Sequence, residues 1–389
     1  MKKETRVNHQ LGVELPEGNV PLVDPVFRTV KFTFESIEAS LSPEAKEHGF
    51  DYTRDSNPTT RQLELLAAEL QDRDDAIAVS TGMASIWLTL LGNLGAGDRI
   101  VLFLETYRPT RVAIRRFLSR LGIQHTIVGI HDHAASEAAF ALPDTKLVIF
   151  ESPTNPMMQV ADIAVLTALA EQRGVVTVLD NTFGGLHNHG NFDVDYYVHS
   201  LTKYAGGHGD AMGGIVIGSK KHIKVLRPLA VNMGATMDPG VAFLMLRGMK
   251  TYYLRYRKHS ENAQAIAEFL ESRPEVERVF YPGLKSDRGH ALALRQMHDF
   301  GGVLSFDLVA DKTKTWAFID ALELFATTAS LGSTDSLVAP AKLYSGGDLT
   351  ADEQAHAGLA DSTVRLAVGV EDAEDLIADL AQALEKVFG

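Results

Sequence analysis

The residues best placed by type and spacing for covalent chemistry lie in His199-Ser200-Leu201-Thr202-Lys203-Tyr204, followed by Gly206-Gly207-His208-Gly209-Asp210 and Gly213-Gly214. A lysine behind an apolar segment is partly desolvated, which lowers its pKa and leaves a neutral amine free to condense with a carbonyl. Ser200 and Thr202 could supply hydroxyl donors to a phosphate held beside that carbonyl. Taken alone, the segment reads more simply as a surface lysine in a glycine-rich loop.

Three other segments change that balance. Leu179-Asp180-Asn181-Thr182 ends an apolar run with a carboxylate. Ligand sites of α/β sheets lie at the C-terminal ends of strands, where an Asp can pair with a pyridine nitrogen and make the ring an electron sink. A helix N-cap is the commoner use of such an Asp. Ser80-Thr81-Gly82-Met83-Ala84-Ser85 joins a strand pattern to a helix pattern, so free N–H groups and the positive helix end could receive a phosphate. An ordinary capped helix start looks much the same. Glu151-Ser152-Pro153-Thr154-Asn155-Pro156 also follows an apolar run, and its prolines fix either a plain turn or a loop from which Asn155 reaches a ring hydroxyl.

Positioning these groups requires a large scaffold. At 389 residues the chain exceeds the roughly 250–300 residues at which a single core stops growing. Residues 1–55, punctuated by Pro16, Pro21 and Pro25, read as an arm that needs a surface to lie on. Residues 56–250 alternate helices (63–67, 83–94) with short apolar strands (76–79, 99–103, 146–150, 175–179, 215–217). Uninterrupted Val, Ile and Leu runs require a sheet covered on both faces, so the fold class is α/β with a mainly parallel sheet flanked by helices. Residues 251–389 read as a smaller α+β domain: a charged helix over 252–272, strands near 301–306 and 363–368, and an amphipathic helix closing at 372–387.

Composition narrows the partners. A formal charge of -13 would repel nucleic acid and anionic lipid, and zero cysteines exclude disulfides, thiolate metal sites and a cysteine nucleophile. Met1-Lys2-Lys3-Glu4 leads into polar residues and no apolar run approaches about 20 residues, so neither a secretory signal nor a membrane span is expected, and the cytoplasm is. His187-Asn188-His189 has no third ligand at a convincing spacing; it reads as a polar loop, and no metal is expected. Trp87, Trp316 and Phe243-Leu244-Met245-Leu246 read as core.

In this order the segments resemble the pyridoxal-phosphate enzymes of cysteine and methionine metabolism, the family of cystathionine gamma-synthase, cystathionine gamma-lyase, methionine gamma-lyase and the O-acylhomoserine sulfhydrylases. The likeness covers nearly the whole chain. It is carried by Tyr52-Thr53-Arg54, Ser56-Asn57-Pro58-Thr59, Ser80 to Met83, Glu151 to Pro156, Asp180 to Thr182, Ser200 to Tyr204, Arg247-Gly248-Met249-Lys250-Thr251, Ser330-Leu331-Gly332, Arg365-Leu366 and Gly369-Val370-Glu371-Asp372. The resemblance implies the aspartate-aminotransferase-like type I fold and pyridoxal 5'-phosphate as cofactor. It implies that Lys203 forms the Schiff base and shuttles protons, that Asp180 pairs with the ring nitrogen and that Tyr107 stacks on the ring. Gly82, Met83, Ser200 and Thr202 would bind the phosphate, with Tyr52 and Arg54 reaching it from a neighbouring subunit. A homodimer with shared sites, usually doubled to a tetramer, follows from that reach. Arg365 would clamp the carboxylate of a small amino acid, helped by Ser330 and Asn155. The implied reaction removes the alpha and then the beta proton and expels the group on the gamma carbon, which Tyr107 would protonate. Hydrolysis to ammonia and a 2-oxo acid, or addition of a nucleophile, completes it. Beta-elimination needs only the first deprotonation.

Departures from the family fall on the substrate side. Arg108-Pro109-Thr110 follows Tyr107 where a glycine pair or Gly-Cys is usual, Ala329 stands where cystathionine-handling members carry Glu, and Ala341-Lys342-Leu343-Tyr344-Ser345-Gly346-Gly347 replaces a Met-Thr-His stretch. Lys31, Arg108 and Lys342 add cations to segments that line the family's substrate entrance. The expectation is intact chemistry in a remodelled pocket, with a sulfur-linked leaving group or an oxygen-linked one, as in acylated homoserine or canavanine. A nicotinamide oxidoreductase is disfavoured because no Gly-x-Gly-x-x-Gly follows the first strand. A catalytically silent binding protein on this fold is disfavoured by the retained Lys203, Asp180, Tyr107 and Arg365.

Overall fold

The computed structural model describes residues 2–6, 15–42 and 49–389. Its larger sheet contains β1 (Asp75–Val79), β2 (Arg99–Phe103), β3 (Gln124–Val128), β4 (Thr145–Glu151), β5 (Val176–Asp180), β6 (Tyr196–Ser200) and β7 (Gly214–Gly218), in the order β1-β7-β6-β5-β4-β2-β3. Neighbours from β6 to β3 run parallel, and only β7 is reversed, pairing antiparallel with both β1 and β6. The mainly parallel reading of the sequence therefore holds. Its buried runs, such as Leu147 to Phe150, are the double-sided apolar strands that a sheet with helices on both faces needs.

Three parallel strands end side by side: Glu151 is the last residue of β4, Asp180 of β5 and Ser200 of β6. Glu151 and Asp180 are direct partners in register. Helix α1 (Pro58–Leu70) packs against β1, and α2 (Gly82–Asn93) follows β1 directly and packs on β6 and β7. Short α3 (Arg108–Val112) follows β2.

The second sheet orders β8 (Val276–Phe280), β9 (Val303–Leu308), β10 (Ala326–Thr327), β11 (Leu337–Pro340) and β12 (Thr363–Ala367) as β10-β11-β12-β9-β8. All but the short β10 edge pair antiparallel. Helix α4 (Tyr252–Glu271) joins the halves: Tyr252 and Tyr256 belong to the larger core, while Ala263, Ile266, Ala267 and Leu270 belong to the smaller. Helix α5 (Ala341–Ser345) follows β11, and α6 (Ala373–Phe388) closes the chain.

Several sequence readings are corrected. Trp316 is 41% exposed with the Lys312 ammonium 4.5 Å above its ring, so it is a surface residue and not core. Leu244 is also exposed, because of its stretch it is Met245 that faces inward. His187 and His189 lie in a loop, as read, but it is packed against the protein: His189 is buried with Nδ1 2.8 Å from Asn181 Oδ1, and half-buried His187 has Nδ1 2.8 Å from the Tyr252 hydroxyl. Among the described residues no cluster could hold a metal ion, and no helix is long and apolar enough to cross a membrane.

Candidate active site

A cavity of about 520 Å³ opens where β4, β5 and β6 end. Lys203 lies just past β6, mostly buried, and its Nζ donates to Ser330 Oγ at 2.7 Å. Burial, assisted by the charge of Arg365, brings its pKa down to about 8, so a substantial neutral fraction exists near neutrality. Ser330 has φ of 111°, a strained value for a residue with a side chain, and strain of this kind collects at functional sites. Arg255, on α4, holds the lysine's loop: its guanidinium donates to the carbonyls of Tyr204 and Gly248, each at 2.8 Å. That guanidinium occupies the space where a Cβ on Gly207 would fall, and Gly207 has φ of +73°.

Asp180 faces into the same cavity and caps no helix. Its Oδ1 accepts from the amide of Thr182 at 3.1 Å and from the Thr182 hydroxyl at 2.6 Å. The same hydroxyl accepts from the Ser200 amide at 2.9 Å, tying the ends of β5 and β6 together. Burial raises the pKa of Asp180, and the Thr182 bonds oppose that rise. The sequence reading gave Thr182 no role. The available signal was its place two residues after a strand-ending Asp, the spacing of a local side-chain turn.

Beside them α2 begins. Thr81 caps it, accepting from Ala84 N at 3.0 Å, so the amides of Gly82 and Met83 have no intrahelical acceptor. A Cβ on Gly82 would lie 2.7 Å from the Ser200 Cβ, and one on Gly214 would strike the Thr81 carbonyl at 2.0 Å. These glycines allow helix start and strand end to form one concave cradle with Ser200 and Thr202. Thr202 Oγ1 already accepts from Gly213 N at 3.1 Å.

Tyr107 leads into α3 with its ring at the cavity, and its amide donates to the Glu151 carboxylate. Burial raises its pKa, and the Asp180 carboxylate acts in the same direction, keeping the phenol protonated. Arg365, on β12 of the second sheet, reaches across: Nη1 donates to Asn155 Oδ1 at 3.0 Å and Nη2 to the Ser330 carbonyl at 2.9 Å. Its Nε is buried without a partner. Burial lowers its pKa to about 10, which still leaves it charged. Asn155, expected near a ring hydroxyl, is bonded to Arg365 through its side-chain oxygen.

Tyr52 and Arg54 do not line this cavity. They lie outward, the Arg54 guanidinium 5.1 Å above the Tyr52 ring. Of the three cations flagged in the sequence, only Arg108 lines it. Lys342 pairs with Asp361 at 3.1 Å, and Lys31 forms an isolated backbone β-bridge with Tyr52. Arg108 lies along Gly347, where a Cβ would meet the guanidinium at 3.1 Å, and its Nε is 3.9 Å from Asp348. Asp348 is more firmly held by buried Arg111, at 2.7 Å.

An amine of depressed pKa, a buried carboxylate, an amide-lined cradle and a guanidinium with a free donor fit a phosphorylated pyridine aldehyde together with an amino acid. The class this defines is a pyridoxal-phosphate enzyme of type I fold. A family model described as Cys/Met metabolism PLP-dependent enzyme matches residues 10–385. L-methionine gamma-lyase of Pseudomonas putida is 38% identical over 386 residues, covering 98% of this chain and 96% of that one. The crystal structure of cystathionine gamma synthase from Xanthomonas oryzae pv. oryzae in complex with cystathionine superposes with a TM-score of 0.88 at 34% identity, covering 93% and 92% of the two chains. A Campylobacter jejuni structure that carries N'-pyridoxyl-lysine-5'-monophosphate has a TM-score of 0.88 at 30% identity, covering 93% of this chain and 95% of that one. The chain belongs to the Cys/Met metabolism PLP-dependent enzyme family. It is a pyridoxal-phosphate-dependent lyase or transferase, and its chemistry is gamma-elimination or gamma-replacement.

Proposed function

We propose that this enzyme acts on a homoserine-derived amino acid whose gamma carbon carries a sulfur- or oxygen-linked leaving group, with Lys203, Asp180 and Tyr107 as its catalytic residues. One observation carries the reading: Lys203, Asp180, Tyr107, Asn155, Ser330 and Arg365, drawn from both sheets, line a single cavity. When bound, pyridoxal phosphate supplies an aldehyde for the amino group and a ring that absorbs electron density. The chain's own residues do the rest. Gly82, Met83, Ser200 and Thr202 receive the phosphate, and Asp180 holds the ring nitrogen protonated. The free donor of Arg365, flanked by Asn155 and Ser330, takes the substrate carboxylate and fixes the alpha carbon's orientation. The Lys203 amine, partly neutral near pH 8, removes and returns protons at the substrate carbons. The Tyr107 phenol, held protonated, donates to the departing group.

A second copy completes the site in this reading. The described part of the arm leaves Leu22 fully exposed, with Val20, Phe27 and Val30 at least 42% exposed, and Tyr52 and Arg54 are exposed and absent from the lining of their own cavity. An apolar arm of this kind needs a partner surface, which supports a homodimer and, by pairing of dimers, a tetramer.

A second reading of the leaving group draws on Ala329 and Arg108, both of which line the cavity. With no carboxylate at 329 to hold a distal ammonium and a guanidinium at the mouth, an oxygen-linked group such as an acyl ester or the guanidinooxy group of canavanine competes with cystathionine. Screening the yellow protein against cystathionine, methionine, homocysteine, O-acyl homoserines and canavanine, with ammonia and 2-oxo acids measured and a thiol added in parallel, separates them. Turnover of serine- or cysteine-derived substrates alone would replace gamma with beta chemistry, and absence of turnover on every compound would overturn the reading.

A further inference from the structure

Of the two carboxyl groups that line the cavity, Glu151 is the one to which the chemistry above gives no task. It ends β4, is 4% exposed, and accepts from the backbone amides of Tyr107 and Asn155. Its register partner on β5 is Asp180. Paired residues of adjacent parallel strands leave the sheet on the same side, on strands about 4.8 Å apart, so the two carboxyl groups are close neighbours.

Among the described residues no ion pair reaches Glu151. Arg111, the cation that acts on it through space, is committed to Asp348 and to the carbonyls of Leu104, Thr106 and Ser345. The groups facing Glu151 are thus Asp180 from β5, and Tyr107 and Arg111 from the segment after β2. Two adjacent carboxyl groups in a buried pocket cannot both hold a full charge unless each has a cation. Asp180 takes two hydrogen bonds from Thr182 and, in the reading above, faces a protonated ring nitrogen. Glu151 has only amides.

We propose that Glu151 is a positioning residue that works as an uncharged carboxylic acid, fixing Tyr107 and Asn155 through their amides and leaving the pair's one negative charge on Asp180. This rests on the reading that Asp180 holds the ring nitrogen. Burial, and then the neighbouring Asp180, both push the Glu151 carboxyl well above its ordinary range, in the direction the geometry requires. The division of labour follows from register: one strand end carries the charge that the ring needs, and the adjacent one carries the shape that Tyr107 needs. It also makes a demand that a merely structural role does not. Glutamine should replace Glu151 well, because an amide reproduces a neutral carboxyl group but not a carboxylate.

Infrared difference spectroscopy of the holoenzyme, with glutamate labelled by carbon-13 at the side-chain carboxyl, reads this directly. At neutral pH a protonated-carboxyl stretch should shift with the label and disappear in Glu151→Gln. That variant is needed for the assignment because Glu105 is also buried with a raised pKa. Glu151→Gln should keep the pH profile of the visible band and stay within about tenfold of wild-type kcat/KM, whereas Glu151→Ala should lose about 10²-fold by freeing Tyr107 and Asn155. A protonated-glutamate band left unchanged by Glu151→Gln would overturn the proposal, as would a shifted visible pH profile in that variant. Should Glu151→Gln not fold, Asp180→Asn serves: removing the neighbouring charge should lower the pH at which the glutamate band is lost, and an unmoved midpoint overturns the proposal. The infrared band is readable without colour, so a colourless protein that retains it would sink the cofactor reading while supporting the uncharged Glu151.

Discussion

The floor and the mouth of the cavity are built differently. At the floor, Asp180, Ser200 and Lys203 end or closely follow parallel strands, and Thr182 and Arg255 hold them with hydrogen bonds of 2.6–2.9 Å. At the mouth, Arg108, Ala329 and Tyr344 come from a loop and two short helices, and Tyr344 is 41% exposed. Strand ends locked by their neighbours can change little without unfolding the sheet, whereas loops tolerate substitution. On the proposed reading the reaction type belongs to the floor and the choice of leaving group to the mouth. The departures from the family, Arg108, Ala329 and the 341–347 stretch, fall in the mouth's segments.

This contrast can be broken in order of expected effect. Lys203→Ala should abolish the visible absorbance and lower turnover by at least about 10³-fold, measured by 2-oxo acid release, because it removes both attachment point and base. If the floor is completed by a second copy, mixing and reannealing Lys203→Ala with Arg54→Ala subunits should restore activity that neither variant has alone, since a hybrid dimer regains one intact site. Arg365→Ala should reduce kcat/KM by about 10²-fold, while Arg365→Lys keeps the charge but loses the fork and should mainly raise KM, by about tenfold. At the mouth, Arg108→Ala should reorder substrates by about tenfold or less in relative kcat/KM and leave the visible band in place. A loss of absorbance in that variant would erase the distinction between the regions. The pH dependence sharpens the floor's side. Only the neutral amine condenses with the aldehyde, so reloading of the apoenzyme should speed up as pH rises and level off above the Lys203 pKa of about 8. A free exposed lysine would level off more than two pH units higher.

Much of the floor was legible in the sequence because its signals are local. Asp180 at the end of an apolar run, Gly82 at a helix start and Lys203 before a glycine cluster each announce themselves within a few residues, and the order of the motifs completes the case. The mouth was less so. Lys342 and Arg108 have the same charge and lie in equally suggestive segments, yet Lys342 turns to Asp361 and Arg108 to the cavity, a choice set by helix phase and by Gly347 across a long sequence gap. Strand β6 hid for a different reason: Tyr196-Tyr197-Val198-His199-Ser200 looks too polar for a central strand, but Tyr197 sends its hydroxyl to the His189 carbonyl at 2.7 Å and His199 bonds Gln71 at 2.8 Å. Buried polar partners, invisible in a linear pattern, turn such residues into core. Partners of the same kind, Asn181 for His189 and Tyr252 for His187, draw the loop that carries these histidines against the protein.

Arg255 gives the two halves of the molecule a mechanical relation. It sits near the start of the long helix that enters both cores, and its guanidinium grips the carbonyls of Tyr204 and Ala205, just beyond Lys203. The helix that helps to build the smaller core thus also anchors the loop that carries Lys203, so a change at Arg255 would be felt beside the amine although the residue lies on neither sheet.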